Sequence, residues 1–308
     1  MVWLFETLKN ENMKNKSLFF LAILLLFVMA CQGKAKKSDE TIMQKEVPFA
    51  DSADQTIFSS FREIANSRSF YSLSMGDRVI KVAKLFLQTP YVAGTLEGNE
   101  KEKLVVNLRE LDCTTYLENV VVLSELFSRK KVQTGDFVKE LERLRYRSGK
   151  LTDYSSRLHY FSDWIFENEK KGIVKNITAE IGGIKYNKTI NFMSSHVDSY
   201  QALKADTNLV AKIREIENEI NKRELFYLPE EQIQNAEDKI QNGDIIAITT
   251  QIKGLDISHV GIAIHVNNRL HLLNASSRQK KVVISDLPLA EMLMQSKYQS
   301  GIMVCRLQ

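Results

Sequence analysis

Two β-rich runs meet at a polar pair near the carboxyl end of the chain, and this meeting constrains the fold more than any other feature. Ile257-Ser258-His259-Val260-Gly261-Ile262-Ala263-Ile264 leads through His265-Val266 to Asn267-Asn268, and Arg269-Leu270-His271-Leu272-Leu273-Asn274-Ala275-Ser276-Ser277 follows. A two-residue turn at the Asn pair matches 266 with 269, hence 264 with 271, 261 with 274 and 259 with 276. Paired residues share a face, and faces alternate along each strand. Asn274 and Ser276 then fall on the face of His259 and His271 on the other, an assignment that a one-residue change in the turn reverses.

A helix is expected from Glu110 to Phe127, with Leu117, Val120, Val121 and Ser124 on one side at helical spacing. Asp112 is a good N-cap, which puts Cys113 in the first turn, where free backbone N–H groups and the positive end of the helix dipole favour a thiolate. A small residue packed at a helix start is the plain alternative. His259, 146 positions beyond Cys113, shifts the balance. A thiol, an imidazole and an amide on the imidazole's own face form the Cys, His, Asn arrangement of papain-like enzymes.

The amino terminus addresses location. Leu18 to Ala30 is an uninterrupted apolar run of thirteen residues, short for a bilayer span but suited to a signal-peptide core. Met13-Lys14-Asn15-Lys16 precedes it and makes Met13 a candidate start. Val28-Met29-Ala30-Cys31 resembles a bacterial lipoprotein cleavage site, with Cys31 lipidated; an ordinary cysteine behind a plain signal is the alternative. The expected organisation is a signal peptide and lipidation site over 1–31, a solvated tether over 32–46, and one domain over 47–308. The expected location is the bacterial cell envelope, lipid-anchored and facing the periplasm.

In an oxidising compartment, a Cys113–Cys305 disulfide is the structural alternative for both remaining cysteines. Cys305 shares a strand face with Met303 and Leu307, a core position. The net charge of +4 comes without a basic cluster longer than a few residues, which excludes nucleic acid as a partner. With no His-Glu-x-x-His, no paired Cys-x-x-Cys and five scattered histidines, no metal is expected. Gly-rich phosphate loops are absent too, so no cofactor is expected. His196 reads as a helix start and His265 as a turn residue.

Five segments in order resemble the NlpC-type cell-wall peptidases, and most closely their branch of N-acetylmuramoyl-L-alanine amidase-like lipoproteins. They are Thr89-Pro-Tyr-Val-Ala-Gly-Thr-Leu-Glu97, Leu111-Asp-Cys-Thr-Thr-Tyr-Leu-Glu118, Gly243-Asp-Ile-Ile246, Ser258-His-Val-Gly-Ile262 and Asn274-Ala-Ser-Ser277. The resemblance implies a papain-like α+β fold in which the Cys113 helix packs on an antiparallel sheet of strands near 244–249, 258–264, 270–276 and 301–307. Helices near 52–66 and 76–88 precede this core. A long helical insertion, about 130–240, separates nucleophile from histidine, and its last strong helix runs from about 208 to 224. Catalytic roles carry over to Cys113, His259 and Asn274. The third position is often histidine in relatives, so His271 is the rival to Asn274.

The amidase-like branch is also suggested by Arg145-Tyr-Arg147 and by Tyr154-Ser-Ser-Arg-Leu-His-Tyr-Phe-Ser-Asp-Trp164. Arg157, His159, Tyr160 and Trp164 have a composition that suits a sugar-peptide ligand, although aromatics beside an amphipathic helix also pack. Tyr91, Asp112 and Ser276 complete the expected substrate-contacting set, with the Tyr91 hydroxyl and the Cys113 N–H at the oxyanion. By resemblance the substrate is a muropeptide, cut at the amide joining the lactyl group of N-acetylmuramic acid to L-alanine. The rivals are a γ-D-glutamyl endopeptidase acting on the stem peptide, a non-catalytic peptidoglycan-binding lipoprotein, and a cysteine acyltransferase.

Overall fold

Asn267 and Asn268 both take positive φ, 50° and 63°, which is what a type I′ turn demands and what asparagine tolerates better than most residues. The turn joins two long strands in the register the sequence predicts: Val266 opposite Arg269, Ile264 opposite His271, Ile262 opposite Leu273. The computed structural model describes residues 49–308. The apolar run, Cys31 and the tether lie outside the described residues, and the domain boundary at 47 falls just beyond them.

The strands are β1 (Val174–Asn176), β2 (Ile184–Lys185), β3 (Phe226–Pro229), β4 (Ile245–Thr250), β5 (Ile257–Val266), β6 (Arg269–Ser276), β7 (Lys281–Ile284) and β8 (Gln299–Leu307). They form one antiparallel sheet in the order β2-β3-β8-β4-β5-β6-β7, and β1 also pairs with β8. The class is therefore α+β with an antiparallel sheet. The four strands expected from the sequence are its centre. The insertion is not wholly helical, because β1, β2 and β3 come from it and extend the sheet beyond β8. Its own helices gather a separate core around Ile190, Met193, Leu203, Ile213 and Ile220.

Strand alternation gives the sheet two apolar faces, both covered. Val260, Ile262, Ile264, Leu273 and Ala275 pack with Leu117, Val120 and Val121 of the Cys113–Leu126 helix. Ile246, Ile248, Ala263, Leu270 and Leu272 pack with Leu289 and Leu293 of the Leu289–Met294 helix. The Cys113–Leu126 helix is enclosed almost all round, by β5 and β6 and by the helices Met75–Leu85 and Thr134–Arg145. A helix apolar on every side belongs in an interior.

Two smaller expectations change, and one alternative falls away. His196 ends the Phe192–Ser195 helix, its Nδ1 2.8 Å from the Phe192 carbonyl, and leads into a short 3₁₀ turn. His265 lies within β5, where its N–H donates to Asn242 Oδ1 (2.7 Å). Cys113 and Cys305 are both free thiols rather than a disulfide. Among the described residues no helix is long and apolar enough to cross a membrane.

Candidate active site

Asp112 caps the Cys113–Leu126 helix as its chemistry dictates. Its Oδ1 accepts from the Thr115 N–H (2.8 Å), and Thr115 Oγ1 accepts from the Asp112 N–H (3.0 Å), a reciprocal capping box. Cys113 is thereby the first helical residue, at the positive end of the dipole. The residue before the cap is tied down as well: the Leu111 N–H donates to the Pro90 carbonyl (3.0 Å) and the Val92 N–H to that of Leu111 (3.1 Å). The same stretch bonds to the β7 side of the sheet, through Tyr91 N–H to Lys280 O (2.9 Å) and Val282 N–H to Thr89 O (2.9 Å). The Thr89-Pro-Tyr-Val segment is thus a strap between the sheet and the start of the helix.

His259 enters from β5. A β-bulge just before it, where Thr249 pairs with Ile257 but Ile248 with His259, sets the aim of the imidazole. His259 Nε2 is 2.9 Å from Asn274 Oδ1. The amide orientation is fixed because Asn274 Nδ2 donates to the Leu272 carbonyl (3.2 Å), which leaves Oδ1 as acceptor and Nε2–H as donor. Gly261 allows this closeness of β5 and β6, since a Cβ there would lie 2.8 Å from Leu272 Cδ1 and 2.9 Å from the Leu273 carbonyl. The other ring nitrogen is left for the Cys113 side chain, whose charge and that of His259 act on each other.

Burial pushes the Cys113 thiol up, but the charge of His259, its hydrogen bond and the Val260 N–H outweigh burial, and the thiol titrates below its ordinary value. Burial pulls His259 down, yet Cys113 and the Asn274 amide raise it above the usual histidine range. Both directions favour a thiolate facing an imidazolium. Only 2% of Cys113 is exposed.

A groove of about 890 Å³ opens beside His259 and Asn274 and runs past Ser276 and the 277–279 turn toward Leu287 and Tyr298. Cys113 does not line it; the groove reaches the imidazole and the amide. His271 stands on the opposite face, paired with Ile264, its Nδ1 2.9 Å from the Ser285 carbonyl. Tyr91 is buried in the strap, with Lys280 Nζ 5.7 Å from the centre of its ring.

The four residues expected to meet ligand from the insertion are differently placed. Trp164 is wholly buried, stacked on Phe161 (4.8 Å between centroids), and its indole N–H donates to Glu118 of the Cys113–Leu126 helix (3.3 Å). Tyr160 is also interior, donating to Glu217 (2.6 Å) and accepting from the Met193 N–H (2.8 Å). Large aromatics with a satisfied polar tip pack, so both are corrected from ligand contacts to structural residues. Arg157 is buried between Glu97 (2.8 Å) and Glu102 (3.3 Å) and lies over the Tyr154 ring. His159 Nε2 is 2.7 Å from the Tyr154 carbonyl, and burial with the nearby Arg157 charge keeps its pKa well below the usual value. Neither lines the groove.

Glu118 escaped sequence reasoning. It accepts from Arg145 Nε (2.7 Å) and from Trp164 inside the core. A carboxylate flanked by apolar residues on the buried part of a helix is a signal of a buried partner.

The chain belongs to the AmiA-like family, N-acetylmuramoyl-L-alanine amidase-like, whose model matches residues 81–302. Among solved structures it is similar to an N-acetylmuramoyl-L-alanine amidase from Bacteroides uniformis: 38% identity, 76% of this chain and 99% of that one covered, TM-score 0.73. A Bacteroides fragilis protein described as a proposed xylanase is 40% identical over 74% of this chain and 100% of its own, TM-score 0.71. A Legionella pneumophila protein is 26% identical, covering 83% of this chain and 96% of that one, TM-score 0.64. No curated protein matches.

Proposed function

We infer that the protein is a cysteine-dependent N-acetylmuramoyl-L-alanine amidase with a papain-like arrangement, and the observation that carries this is His259, held by Asn274 at 2.9 Å while its charge acts on the Cys113 thiol. The Cys113 thiolate attacks the lactyl carbonyl carbon. His259 donates its proton to the departing alanine nitrogen, the C–N bond breaks and a thioester remains. Water then attacks the thioester, His259 takes its proton, and the lactyl carboxylate leaves as Cys113 is restored. Asn274 holds the ring so that its free nitrogen faces sulfur. The Cys113 N–H and the Tyr91 hydroxyl stabilise the oxyanion.

Hydrolysis of a glycosidic bond, as the name of one relative suggests for that protein, uses a pair of carboxylates across the scissile bond. Of the residues lining the groove, Asp286 alone is acidic, and this favours the amide reading. In the same reading residues 1–31 are a lipoprotein signal with Cys31 lipidated, and 47–308 form one domain held at the cell envelope. The test is mass spectrometry of products from a muropeptide of known structure. Release of the intact stem, L-alanine first, is expected. Products that keep L-alanine on the sugar point instead to the γ-D-glutamyl bond and overturn the assignment.

A further inference from the structure

The chain approaches Cys113 along a stretch, 102–107, that belongs to no helix or strand, and side chains fasten it where a ladder does not. The Lys103 carbonyl accepts from the Tyr146 hydroxyl (3.2 Å), that of Val105 from Arg145 (2.7 Å), and that of Asn107 from Asn119 Nδ2 on the Cys113–Leu126 helix (2.9 Å). Asn107 Oδ1 accepts from the Arg109 and Glu110 N–H groups, both at 3.0 Å. A further clamp comes from far away in the chain. Asp54 Oδ1 accepts from the Leu108 N–H (2.8 Å) and from Arg109 Nε (3.0 Å), and its Oδ2 from a second Arg109 nitrogen (3.3 Å).

Asp54 stands in the first turn of the Ser52–Ala65 helix, where an acid is favoured by the helix dipole alone. The dipole does not require burial, yet Asp54 is only 1% exposed, and both its oxygens are bonded to residues 54 and 55 positions further on. The helix that carries it has a firm seat. Phe58 and Phe49 meet Phe137 edge-on, at 5.8 and 5.5 Å between ring centres, and Phe137 belongs to the Thr134–Arg145 helix that packs on the Cys113–Leu126 helix. The last residues before the cap are thus pinned at two points, at Leu108 and Arg109 by Asp54 and at Leu111 by the strap. We propose that Asp54 is a positioning residue for the reaction, which sets where the approach segment delivers Cys113 against His259. A pair of opposite charges about 4 Å apart that opens by about 1 Å loses about a fifth of its attraction, and at an effective dielectric constant of about 20 this moves a titration midpoint by roughly half a pH unit. A misplacement of that size lowers turnover by up to about 100-fold. The inference rests on the proposed cysteine chemistry.

The test compares wild type, Asp54→Ala, Asp54→Asn and Glu237→Gln as full chains. Each is assayed for hydrolysis of one muropeptide, for the pH dependence of iodoacetamide alkylation read at Cys113 by mass spectrometry, and for melting temperature. Glu237 is the matched control, because it too accepts from a backbone N–H (Leu270, 3.2 Å) and an arginine Nε (Arg269, 3.0 Å), but at the far end of β6 from Asn274. His259 lowers the Cys113 midpoint and Asp112 raises it, so a shift in that midpoint reports movement of sulfur relative to those two groups. Asp54→Ala is expected to lower kcat about 10- to 100-fold with KM within about threefold, and to raise the alkylation midpoint by roughly half a pH unit. Asp54→Asn keeps an acceptor for the Leu108 N–H and should fall between Asp54→Ala and wild type. Glu237→Gln should melt lower with neither readout moved. Wild-type kcat and midpoint in folded Asp54→Ala overturn the inference, as do the same values in Asp54→Asn where the alanine variant does not fold. Equal changes in Glu237→Gln also overturn it, since they mean general loosening. If wild type cleaves no muropeptide, the amidase function falls and the alkylation midpoints alone decide about Asp54.

Discussion

The third member of the site offers a clean contrast between two residues three positions apart. Asn274→Ala removes the acceptor 2.9 Å from His259 Nε2 and leaves Cys113 and its capping box in place. A hydrogen bond to a charged partner contributes about 1.5–3 kcal/mol. With about 1.36 kcal/mol for each factor of ten in rate, kcat should fall about 10- to 150-fold. His271→Ala acts on the other face: it removes a buried ring whose Nδ1 sits 2.9 Å from the Ser285 carbonyl. The expected cost is about 1–3 kcal/mol of stability, or roughly 2–12 °C in Tm for a domain of this size, with kcat within a few-fold of wild type. Both variants are measured on one muropeptide, with melting curves alongside. A folded but inactive His271→Ala together with an active Asn274→Ala would refute the argument, and the triad would then be Cys113, His259 and His271.

Cys113→Ser should melt near wild type and show no turnover; substantial hydrolysis by the folded variant removes the nucleophile assignment. Iodoacetamide should inactivate wild type while EDTA leaves its activity intact, and loss on chelation would expose a metal requirement. Because His259 holds the Cys113 thiol below its ordinary value of 9.0, alkylation of wild type should reach half its limiting rate below that pH. The thiolate is lost as pH falls through that lowered value, and His259→Ala should move the midpoint upward; an unmoved midpoint means the two groups do not interact. Glu118→Gln strands Arg145, whose guanidinium is 3% exposed and whose carboxylate partner is 2% exposed. Breaking such a buried pair costs about 3–5 kcal/mol, or roughly 6–20 °C in Tm, and a drop under about 3 °C counts against the pairing as a stabilising contact.

The hairpin was legible because everything that sets it is local. The Asn pair names the turn, the turn names the register, and the register puts Asn274 rather than His271 beside His259. The start of the Cys113–Leu126 helix was legible for the same reason, since Asp112 and Thr115 cap it between themselves. What escaped is non-local. β1, β2 and β3 are four residues or fewer, too short for alternation to register, and they become strands only because β8 offers an edge to β1 and β3, and β3 in turn to β2. The bulge before His259 arises from the mismatch of two strands and leaves no mark in either. Tyr160 and Trp164 were misplaced because composition says what a side chain suits, whereas burial depends on what the rest of the chain lays over it.

The interior position of Trp164 gives the insertion a mechanical meaning. The Phe161–Lys170 helix touches both halves of the site from behind. Through Trp164 it donates to Glu118 on the Cys113–Leu126 helix, and through the Ser162 N–H it donates to Asp256 Oδ2 (2.7 Å), three residues before His259. Asp256 is fully buried, and burial raises its pKa although the Ser162 N–H opposes the rise, so this contact holds an expensive group in place. Cys113 and His259 lie on separate elements, and their distance is set by whatever braces those elements against each other. Part of that bracing comes from a single helix in the insertion, which explains why a segment that does not line the groove carries residues so unlike an ordinary linker. A shift of this helix would therefore change the geometry of the thiol–imidazole pair without altering a residue of the pair itself.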